Sequence, residues 1–582
     1  MASARRPHPH GVLPAGNQYI HPPTSPSIFR PNSLGDFSNI SDEILIFIIS
    51  FASLPSLSKI AQCSRALYCF GMSEELWRDC FLLYLIGEQQ SQSTKSKSNH
   101  KSRNHQASAI LNFGFEPTGW RDTCSKYVIN RTLSKSIYTP SQPLSLPPLF
   151  SDALYRPHLC ANYSFPADFT DPSREDVERR SAAELTSKTI NTDSTSKTDS
   201  QYVFQAEFEK LNKPVIITKG SEEWECMKRW TGTDGEAYLE RVGGETTFRA
   251  TSGKCCIPVE FTMATYLSYS RCTRLDEAPL YFFDRAFVSK CPPLGRDYIS
   301  SQASSLPFFS PPVSDWFSVL GPERRPDHKW LIIGPQRSGS SFHIDPNCTH
   351  AWNAPVVGSK KWIFYPPGVP PPGILPSEDG EDVAMPISLG EWMCDFWGKH
   401  VKRRKKDSSI LECTVKPGEV LFVPHGWWHT VINVEDAEYN GPSIAITQNY
   451  VSSTNLIDVF RFLRTKKNQI SGCRDREEAV DPEMFEQEFF EKLSVANKSL
   501  AEDKRLKSEG PDAWECKAWT DFVKPVKSAQ PVKQSKQVLN KKGDGVGGVG
   551  GVLELAGKHG FSFNFGLEER EGEGEGGEGE DF

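Results

Sequence analysis

The sequence predicts a mainly β central domain with flanking helices, preceded by a small all-α module and bordered by disordered termini. Short apolar segments separated by Gly- and Pro-containing turns recur between residues 330 and 448, which is typical of an antiparallel sandwich or barrel. In residues 36–85 the apolar residues recur instead at helical spacing. Both ends of the chain are polar or of low complexity, and such segments bury too little apolar surface to fold.

Length and composition narrow the class of protein. The 582 residues suffice for several domains with one sizeable core. The net charge of −7 argues against a general nucleic-acid binder, and the 15 cysteines include no CxxC pair, which argues against structural zinc and disulfides. The longest apolar run, residues 44–51, is too short to cross a membrane, and the N-terminus lacks a signal-peptide pattern. We therefore expect an intracellular protein without a membrane segment.

The composition changes along the chain, and six segments follow from these changes. They are a disordered N-terminus, a helical module, a linker with a partly ordered connector, the β domain, C-terminal helices and a low-complexity acidic tail (residues 1–35, 36–85, 86–201, 202–465, 466–523 and 524–582). Within the connector, residues 87–106 are predicted to be a linker and residues 168–200 a loop or insertion. Residues 366–409 interrupt the β domain as a second insertion.

Individual elements follow from the periodicity. In the helical module, a first helix contains Ile44, Pro55 can start a second, and a third begins near Glu75. The β domain opens with an amphipathic helix and a buried strand (204–211 and 214–217), and helices follow it (455–464 and 482–503). Its central strands are predicted at 330–333, 342–344, 361–365, 411–415, 420–423, 430–433 and 444–448.

A candidate metal site lies in this series of strands. His343 and Asp345 are separated by one residue, so in a strand both side chains point to the same face. His429 follows in a second apolar strand. Two imidazoles and one carboxylate are the protein half of a facial iron site, which leaves three positions open on Fe(II). A lone His in a strand is more often structural; the whole set favours metal ligation. We interpret His425 as lying outside the site and His350 as a surface residue.

Two further interpretations concern lysines and tryptophans near these strands. Lys360 and Lys361 are adjacent, and strand alternation predicts that only one, Lys360, points inward. Four tryptophans are interpreted as core residues rather than as ligand-stacking residues: Trp352, Trp362, Trp427 and Trp428. The basic run 402–406 is compatible with a nuclear import signal, a nucleic-acid contact or a solvated loop.

The helical module resembles an F-box. The resemblance lies in Ile40-Ser41-Asp42-Glu43-Ile44-Leu45 and in Leu76-Trp77-Arg78, although Ile40-Ser41 replaces the usual opening Leu-Pro. An F-box implies docking onto the Skp1 adaptor of a cullin ubiquitin ligase.

Residues 202–465 resemble a Jumonji C (JmjC) domain, and within that family the branch of bifunctional arginine demethylases and lysyl hydroxylases. The motifs that match, dense and in order, lie at 330–339, 351–354, 416–419, 426–429 and 444–449. The resemblance implies a double-stranded β-helix, the cupin-like jelly roll. It also implies the use of Fe(II), 2-oxoglutarate and O2.

The resemblance assigns roles position by position. The metal ligands are His343, Asp345 and His429, and Lys360 pairs with the distal carboxylate of 2-oxoglutarate. Three further residues line the co-substrate pocket: Asn353, Ser340 and Thr447. Ser340 keeps the hydroxyl where the family has threonine. A co-substrate tyrosine is expected near 265–266.

The implied activity is hydroxylation or demethylation of arginine or lysine side chains in a protein substrate, such as a histone or an RNA-associated protein, in the nucleus or also in the cytoplasm. Oxidation of an N-methyl carbon would lead to loss of the methyl group, whereas a hydroxyl on a side-chain carbon would remain. An F-box substrate receptor that recognises its target through the JmjC domain without turnover is the alternative. A substrate of RNA or small-molecule type also stays open.

Overall fold

The structure, a computed structural model, describes residues 7–14, 33–95, 113–132, 149–192, 198–251, 258–309, 314–434, 441–473 and 476–507. The expected disorder of residues 15–32 and of the acidic tail lies outside these residues. No helix in the described part of the chain is long and apolar enough to span a membrane.

The N-terminal module contains four helices: α1 (Asp42–Ser50), α2 (Leu54–Ile60), α3 (Arg65–Gly71) and α4 (Glu74–Lys95). Serine side chains cap the first three, because Ser41, Ser53 and Ser64 each accept a hydrogen bond from a backbone N–H three residues later. The sequence predicted three helices and missed α3. It also placed a linker after residue 86, whereas α4 continues to Lys95.

The connector is more ordered than its composition suggested. It contains α5 (Trp120–Thr132) and α6 (Asp152–Ala161), and strand β1 (Val12–Leu13) pairs in parallel with β2 (Leu149–Phe150). The prediction of disorder over residues 1–35 is therefore wrong for 7–14, where the buried Val12 side chain anchors the segment.

Buried polar contacts join the module and the connector to the β domain. The Trp120 indole donates to Asp276 Oδ1 at 2.9 Å. The next residue, Glu277, has a fully buried side chain that accepts from the Arg156 guanidinium of α6 and from the Ser388 hydroxyl at 2.9 Å. An unpaired buried carboxylate would be costly, so these contacts fix the connector in place.

The β domain is built on two sheets. The large sheet has the order β3 (Arg179–Ser181), β6 (Val215–Thr218), β17 (Val420–Val423), β12 (His350–Val357), β19 (Ser443–Tyr450), β10 (Lys329–Gly334), β9 (Tyr281–Asp284), β7 (Thr247–Thr251) and β8 (Pro258–Thr262). The small sheet has the order β11 (Gly339–His343), β18 (Trp428–Val434), β13 (Ser359–Tyr365) and β16 (Leu411–Val415). Neighbouring strands are antiparallel except β3 and β6.

The two sheets share an apolar core, in which Trp362 and Phe364 of the small sheet pack with Ala351, Leu421 and Val423 of the large one. This arrangement confirms the predicted mainly β domain, as an open sandwich of two sheets. The seven predicted strands are all present, with ends that differ by up to three residues.

The sequence missed strand β12, although all eight of its residues are buried. His350 and Asn353 give it polar positions, and Pro355 in its second half argued against a central strand. His350 was predicted on the surface, which is wrong, because it begins this central strand and is fully buried.

Helices and short strands complete the β domain and its surroundings. The predicted loop 168–200 contains the edge strand β3, α7 (Ala182–Leu185) and an antiparallel hairpin of β4 (Lys188–Thr192) and β5 (Thr198–Tyr202). The remaining helices are α8 (Glu225–Arg229), α9 (Gly232–Gly243), α10 (Met263–Ser270), α11 (Phe287–Lys290) and α12 (Pro292–Ser305). The predicted helix 204–211 is a π-helix at Gln205–Glu209.

The insertion 366–409 folds into a short hairpin and two helices: β14 (Leu375–Pro376), β15 (Val383–Ala384), α13 (Leu389–Asp395) and α14 (Trp397–Arg404). After the sheets come α15 (Leu456–Thr465), α16 (Phe485–Ala496) and α17 (Lys498–Ala501). The last two divide the region where one long helix was predicted.

A buried ionic cluster supports the outer face of the small sheet. Glu412 of β16 accepts from Arg174 at 2.8 Å and from His400 at 3.0 Å, and it pairs with Lys361 at 3.1 Å and Arg404 at 3.3 Å. Burial opposes its charge, but the His400 hydrogen bond and the nearby cations outweigh burial and lower the pKa of Glu412 to about 2. Strand alternation puts Lys360 and Lys361 on opposite faces of β13, and only Lys360 points toward the pocket side. Lys361 points outward to Glu412 and is nevertheless fully buried.

We expect Glu412→Gln to weaken the acid dependence of stability. The folded pKa lies below the ordinary value of 4.5, so the carboxylate stabilises the fold above pH 4.5 and loses this effect as the pH falls toward 2. Between pH 5 and pH 3 the loss is about 2 kcal/mol. Urea unfolding at both pH values measures it. The variant should lack this difference, whereas Glu378→Gln, at an exposed carboxyl, should keep it. A difference unchanged in Glu412→Gln would contradict the pairing.

Candidate metal centre and co-substrate pocket

His343, Asp345 and His429 come together in the structure. His343 ends β11 and lies directly opposite His429 of β18 in the antiparallel register. Asp345 follows the end of β11 in extended conformation. One potential ligand atom from each residue lies within 4.8 Å of the others, and His429 Nε2 is 4.0 Å from Asp345 Oδ2. It is the one such group of three in the described part of the chain.

Backbone carbonyl oxygens orient the two imidazoles in the same way. His343 Nδ1 lies 2.8 Å from the Ser341 oxygen, and His429 Nδ1 lies 3.1 Å from the Trp427 oxygen. A proton on Nδ1 satisfies each contact and leaves the Nε2 lone pair for a metal. The chain thus selects the ligating tautomer of both rings.

The electrostatics of the three residues fit a divalent cation. Burial and the neighbouring His429 lower the pKa of His343 to about 4, and burial lowers the pKa of His429 to about 4, so both rings stay neutral at physiological pH. Burial raises the pKa of Asp345. Its Oδ2 is buried with no hydrogen-bond partner among the described residues. A cation between these atoms would supply the missing partner.

The predicted co-substrate lysine is buried against Tyr281, which lines the same pocket as the metal ligands. Lys360 is fully buried, and its Nζ donates to Asn433 Oδ1 at 2.7 Å and to Tyr281 Oη at 3.3 Å. No carboxylate in the described ranges forms an ion pair with it, and burial lowers its pKa to about 7. An anionic ligand is the partner that such a site lacks, and the distal carboxylate of 2-oxoglutarate fits it.

The other three predicted residues line the pocket that contains the metal ligands. Asn353 of β12 lies opposite Thr447 of β19, and its Oδ1 is buried without a hydrogen-bond partner in the described residues. The Thr447 hydroxyl donates to the Trp352 oxygen at 2.8 Å, which leaves its lone pairs toward other donors. Ser340 enters the same pocket from β11.

The pocket tyrosine is Tyr281, and the expectation near residues 265–266 is not met. The Tyr266 hydroxyl is already hydrogen-bonded to backbone groups. It lies 2.9 Å from the Leu280 oxygen and 2.7 Å from the Ile333 oxygen. Tyr281 starts β9 and lines the pocket. Sequence reasoning also missed Asn433, whose Nδ2 donates to the Gly334 oxygen at 3.1 Å while its Oδ1 holds Lys360. The sequence feature that could have pointed to Asn433 is its amide side chain within a mostly apolar strand.

Two other imidazoles lie apart from the metal ligands. His425 Nε2 is 3.0 Å from Asp458 Oδ2, which agrees with its predicted place outside the site. His350 accepts from the His425 backbone N–H at 3.1 Å and contacts Thr454. The four tryptophans predicted in the core are buried, and Trp362 also lines the pocket, with its ring centroid 5.7 Å from that of His429.

Comparison with known proteins agrees with this geometry. Residues 201–455 match the family described as cupin-like domain. The chain is 34% identical over 520 residues to the arginine-specific demethylase JMJ22 of Arabidopsis thaliana, and the match covers 88% of each chain.

Two further relatives each match part of the chain. The bifunctional arginine demethylase and lysyl-hydroxylase psr-1 of Caenorhabditis elegans is 34% identical over 44% of this chain and 59% of its own length. The human 2-oxoglutarate and iron-dependent oxygenase JMJD4 is 32% identical over 31% of this chain and 42% of its own length. With its two-sheet cupin-like fold and the long match to JMJ22, the chain belongs to the JmjC family of iron- and 2-oxoglutarate-dependent oxygenases.

Proposed function

We propose that this protein oxidises arginine or lysine side chains of a protein substrate, removing N-methyl groups or hydroxylating carbon. The observation that supports this best is the three-ligand cluster, together with a buried lysine that contacts the pocket residue Tyr281 and pairs with no carboxylate of the described residues. The printed activities of JMJ22 and psr-1, arginine demethylation and lysyl hydroxylation, support the choice of side chain.

Different pocket residues have different roles in the proposed reaction. Iron and 2-oxoglutarate, when bound, supply the oxidation of a C–H bond by O2. His343, Asp345 and His429 would hold the metal on one face and leave the other open. Lys360 and Tyr281 would hold the distal carboxylate and orient the co-substrate. Apolar lining residues, Phe283, Trp330 and Ile332, keep bulk water from the centre.

Anaerobic binding followed by turnover tests the proposal. The wild type and His343→Ala would be titrated with Fe(II) and 2-oxoglutarate, then exposed to O2 with methylated and unmodified arginine and lysine peptides. We expect succinate release that requires both iron and His343. Peptide mass separates loss of a methyl group from gain of one oxygen. Absence of iron binding by the wild type would refute the metal site.

Binding without turnover would point elsewhere. A folded protein that binds iron and 2-oxoglutarate but oxidises no peptide would favour the non-catalytic receptor, or a substrate of RNA or small-molecule type. Adding RNA and small amines to the same assay distinguishes these outcomes.

We also propose that the N-terminal module docks onto an Skp1-type adaptor. One face of α1 exposes four large apolar side chains with exposed fractions between 48% and 75%, at Ile44, Phe47, Ile48 and Phe51. The spacing i, i+3, i+4, i+7 makes this a continuous apolar stripe, and such exposed patches mark interaction sites. The F-box resemblance of the same residues supports the adaptor as the partner.

Purified Skp1 tests this docking in a pull-down experiment. Phe47→Glu and Phe51→Glu should lose binding, because a charge in the apolar contact is left desolvated. Val495→Glu changes a side chain that is 90% exposed on α16 and should bind normally. Equal binding by all variants would exclude α1 as the interface.

We further propose that the protein is nuclear. Arg404 of the basic run 402–406 forms an ion pair with Asp176 at 2.7 Å, so this residue of the run has a structural role. Its exposed members remain available to an import receptor: Lys402, Lys405 and Lys406. Replacing these three by alanine should lower the nuclear fraction of a fluorescent fusion, whereas Lys498→Ala should not. An unchanged nuclear fraction in the triple variant would exclude this run as the signal.

A further inference from the structure

The loop that carries Asp345 turns through two consecutive residues in left-handed conformation. Asn347 has φ 56° and Cys348 has φ 53°. Asparagine adopts this region fairly readily, whereas cysteine does so rarely. Both side chains are buried. A turn of this kind persists only where its surroundings hold it.

The contacts that hold the turn come from the C-terminal side of the chain. Asn347 Nδ2 donates to the Ser471 oxygen at 3.0 Å, and Asn347 Oδ1 accepts from the Ser471 N–H at 3.0 Å. Asn455 Nδ2 donates to the Cys348 oxygen at 2.8 Å. Each of the two left-handed residues is therefore held by buried hydrogen bonding to a residue outside the turn. Ser471 lies beyond residues 201–455, which match the cupin-like family.

Asp345 depends on this turn more than the two histidines do. His343 and His429 face each other in the strand register, so the sheet fixes them. Asp345 has left the strand. Asn449, which lines the same pocket as Asp345, donates to Thr349 Oγ1 at 2.8 Å on the far side of the turn. The path of the chain from 345 to 349 thus sets the carboxylate position.

We infer that Asn347 is a positioning residue for the metal centre, through which Ser471 holds Asp345 in place for ligation. This inference rests on the proposed function, because it requires that the three residues bind a metal. It extends the metal centre's support beyond the cupin-like domain. Asn347 itself touches neither metal nor substrate in this assignment; it acts through the backbone of the turn.

Metal affinity tests the inference without any need for turnover. Asn347→Gly keeps a residue that adopts positive φ but removes both bonds to Ser471. Calorimetric titration of the full chain with Fe(II) under anaerobic conditions should show the Kd raised about tenfold or more, within the 10–100-fold range for outer contacts of metal ligands. Asn455→Ala removes the bond to Cys348 and should raise the Kd in the same direction.

A packing variant of the same region separates positioning from general stability. Leu493 is fully buried in the apolar cluster of the C-terminal helices, and Leu493→Ala leaves the Asn347 bonds in place. It should lower the melting temperature and change the Kd by no more than about twofold. Wild-type affinity in folded Asn347→Gly and Asn455→Ala, or an equal loss of affinity in Leu493→Ala, would overturn the inference. If the wild type itself bound no Fe(II), the proposed function would fail first.

Discussion

Replacing His429 with alanine is expected to abolish iron-dependent turnover, whereas His425→Ala, four residues earlier, should leave it largely intact. His429 Nε2 faces Asp345 at 4.0 Å and is one of the three residues assigned as metal ligands. Losing a ligand should weaken Fe(II) binding by about a hundredfold or more, since loss of an outer contact already costs about 10–100-fold. Anaerobic titration and succinate release measure both effects.

His425→Ala is the matched control, because it removes an imidazole from the same segment. Its Nε2 lies 3.0 Å from Asp458 Oδ2, and His425 is not part of the three-residue cluster. We expect a lower melting temperature and an unchanged Kd for Fe(II). The reverse pattern, with metal binding lost in His425→Ala and kept in His429→Ala, would overturn the ligand assignment.

Lys360→Met is expected to raise the Kd of 2-oxoglutarate about a hundredfold. Lys360 is buried, it is held by neutral groups, and no carboxylate of the described residues pairs with it. The distal carboxylate of the co-substrate would be its ionic partner. Losing one partner of a buried charge pair costs about 3 kcal/mol, which corresponds to roughly two orders of magnitude in affinity. Calorimetry on the metal-loaded protein measures it.

We expect Lys361→Met, at the adjacent position, to lower stability and to leave 2-oxoglutarate binding unchanged. Lys361 points away from the pocket to Glu412, at 3.1 Å. Its loss should lower the free energy of unfolding by about 3 kcal/mol, because Glu412 stays buried with one cation fewer. The Kd of 2-oxoglutarate should not change. Weaker 2-oxoglutarate binding in Lys361→Met alone would show that the two lysines were assigned the wrong way round.

Seven central strands were predictable from their short apolar runs, even where they carry a buried polar residue such as Glu412, whereas β12 was missed. Residues 420–423 and 444–448 are apolar nearly throughout, as strands buried on both faces are. β12 carries His350 and Asn353 in a buried setting, so its pattern looked like a loop. The burial of Lys361 was likewise not predictable, because its ion pair with Glu412 depends on a strand distant in sequence.

The candidate site was likewise predictable only in part. His343, Asp345 and His429 stand in local motifs, and the structure brings them together. Tyr281 could not be found in this way, because its contact with Lys360 depends on how β9 and β13 are placed in different sheets. A tyrosine elsewhere in the chain offered the same local signal, and only the tertiary arrangement separates Tyr266 from Tyr281.

The buried Glu277 determines which fragments of this protein can be expected to fold. The stretch that is homologous to other cupin-like proteins begins at residue 201, but Arg156, the cation that neutralises Glu277, lies upstream of it. A fragment starting at 201 would keep the anion, lose its counterion and uncover the surface beneath Trp120. The unit that folds is therefore larger than the cupin-like domain alone, and a minimal fragment for expression should start before the connector, not at residue 201.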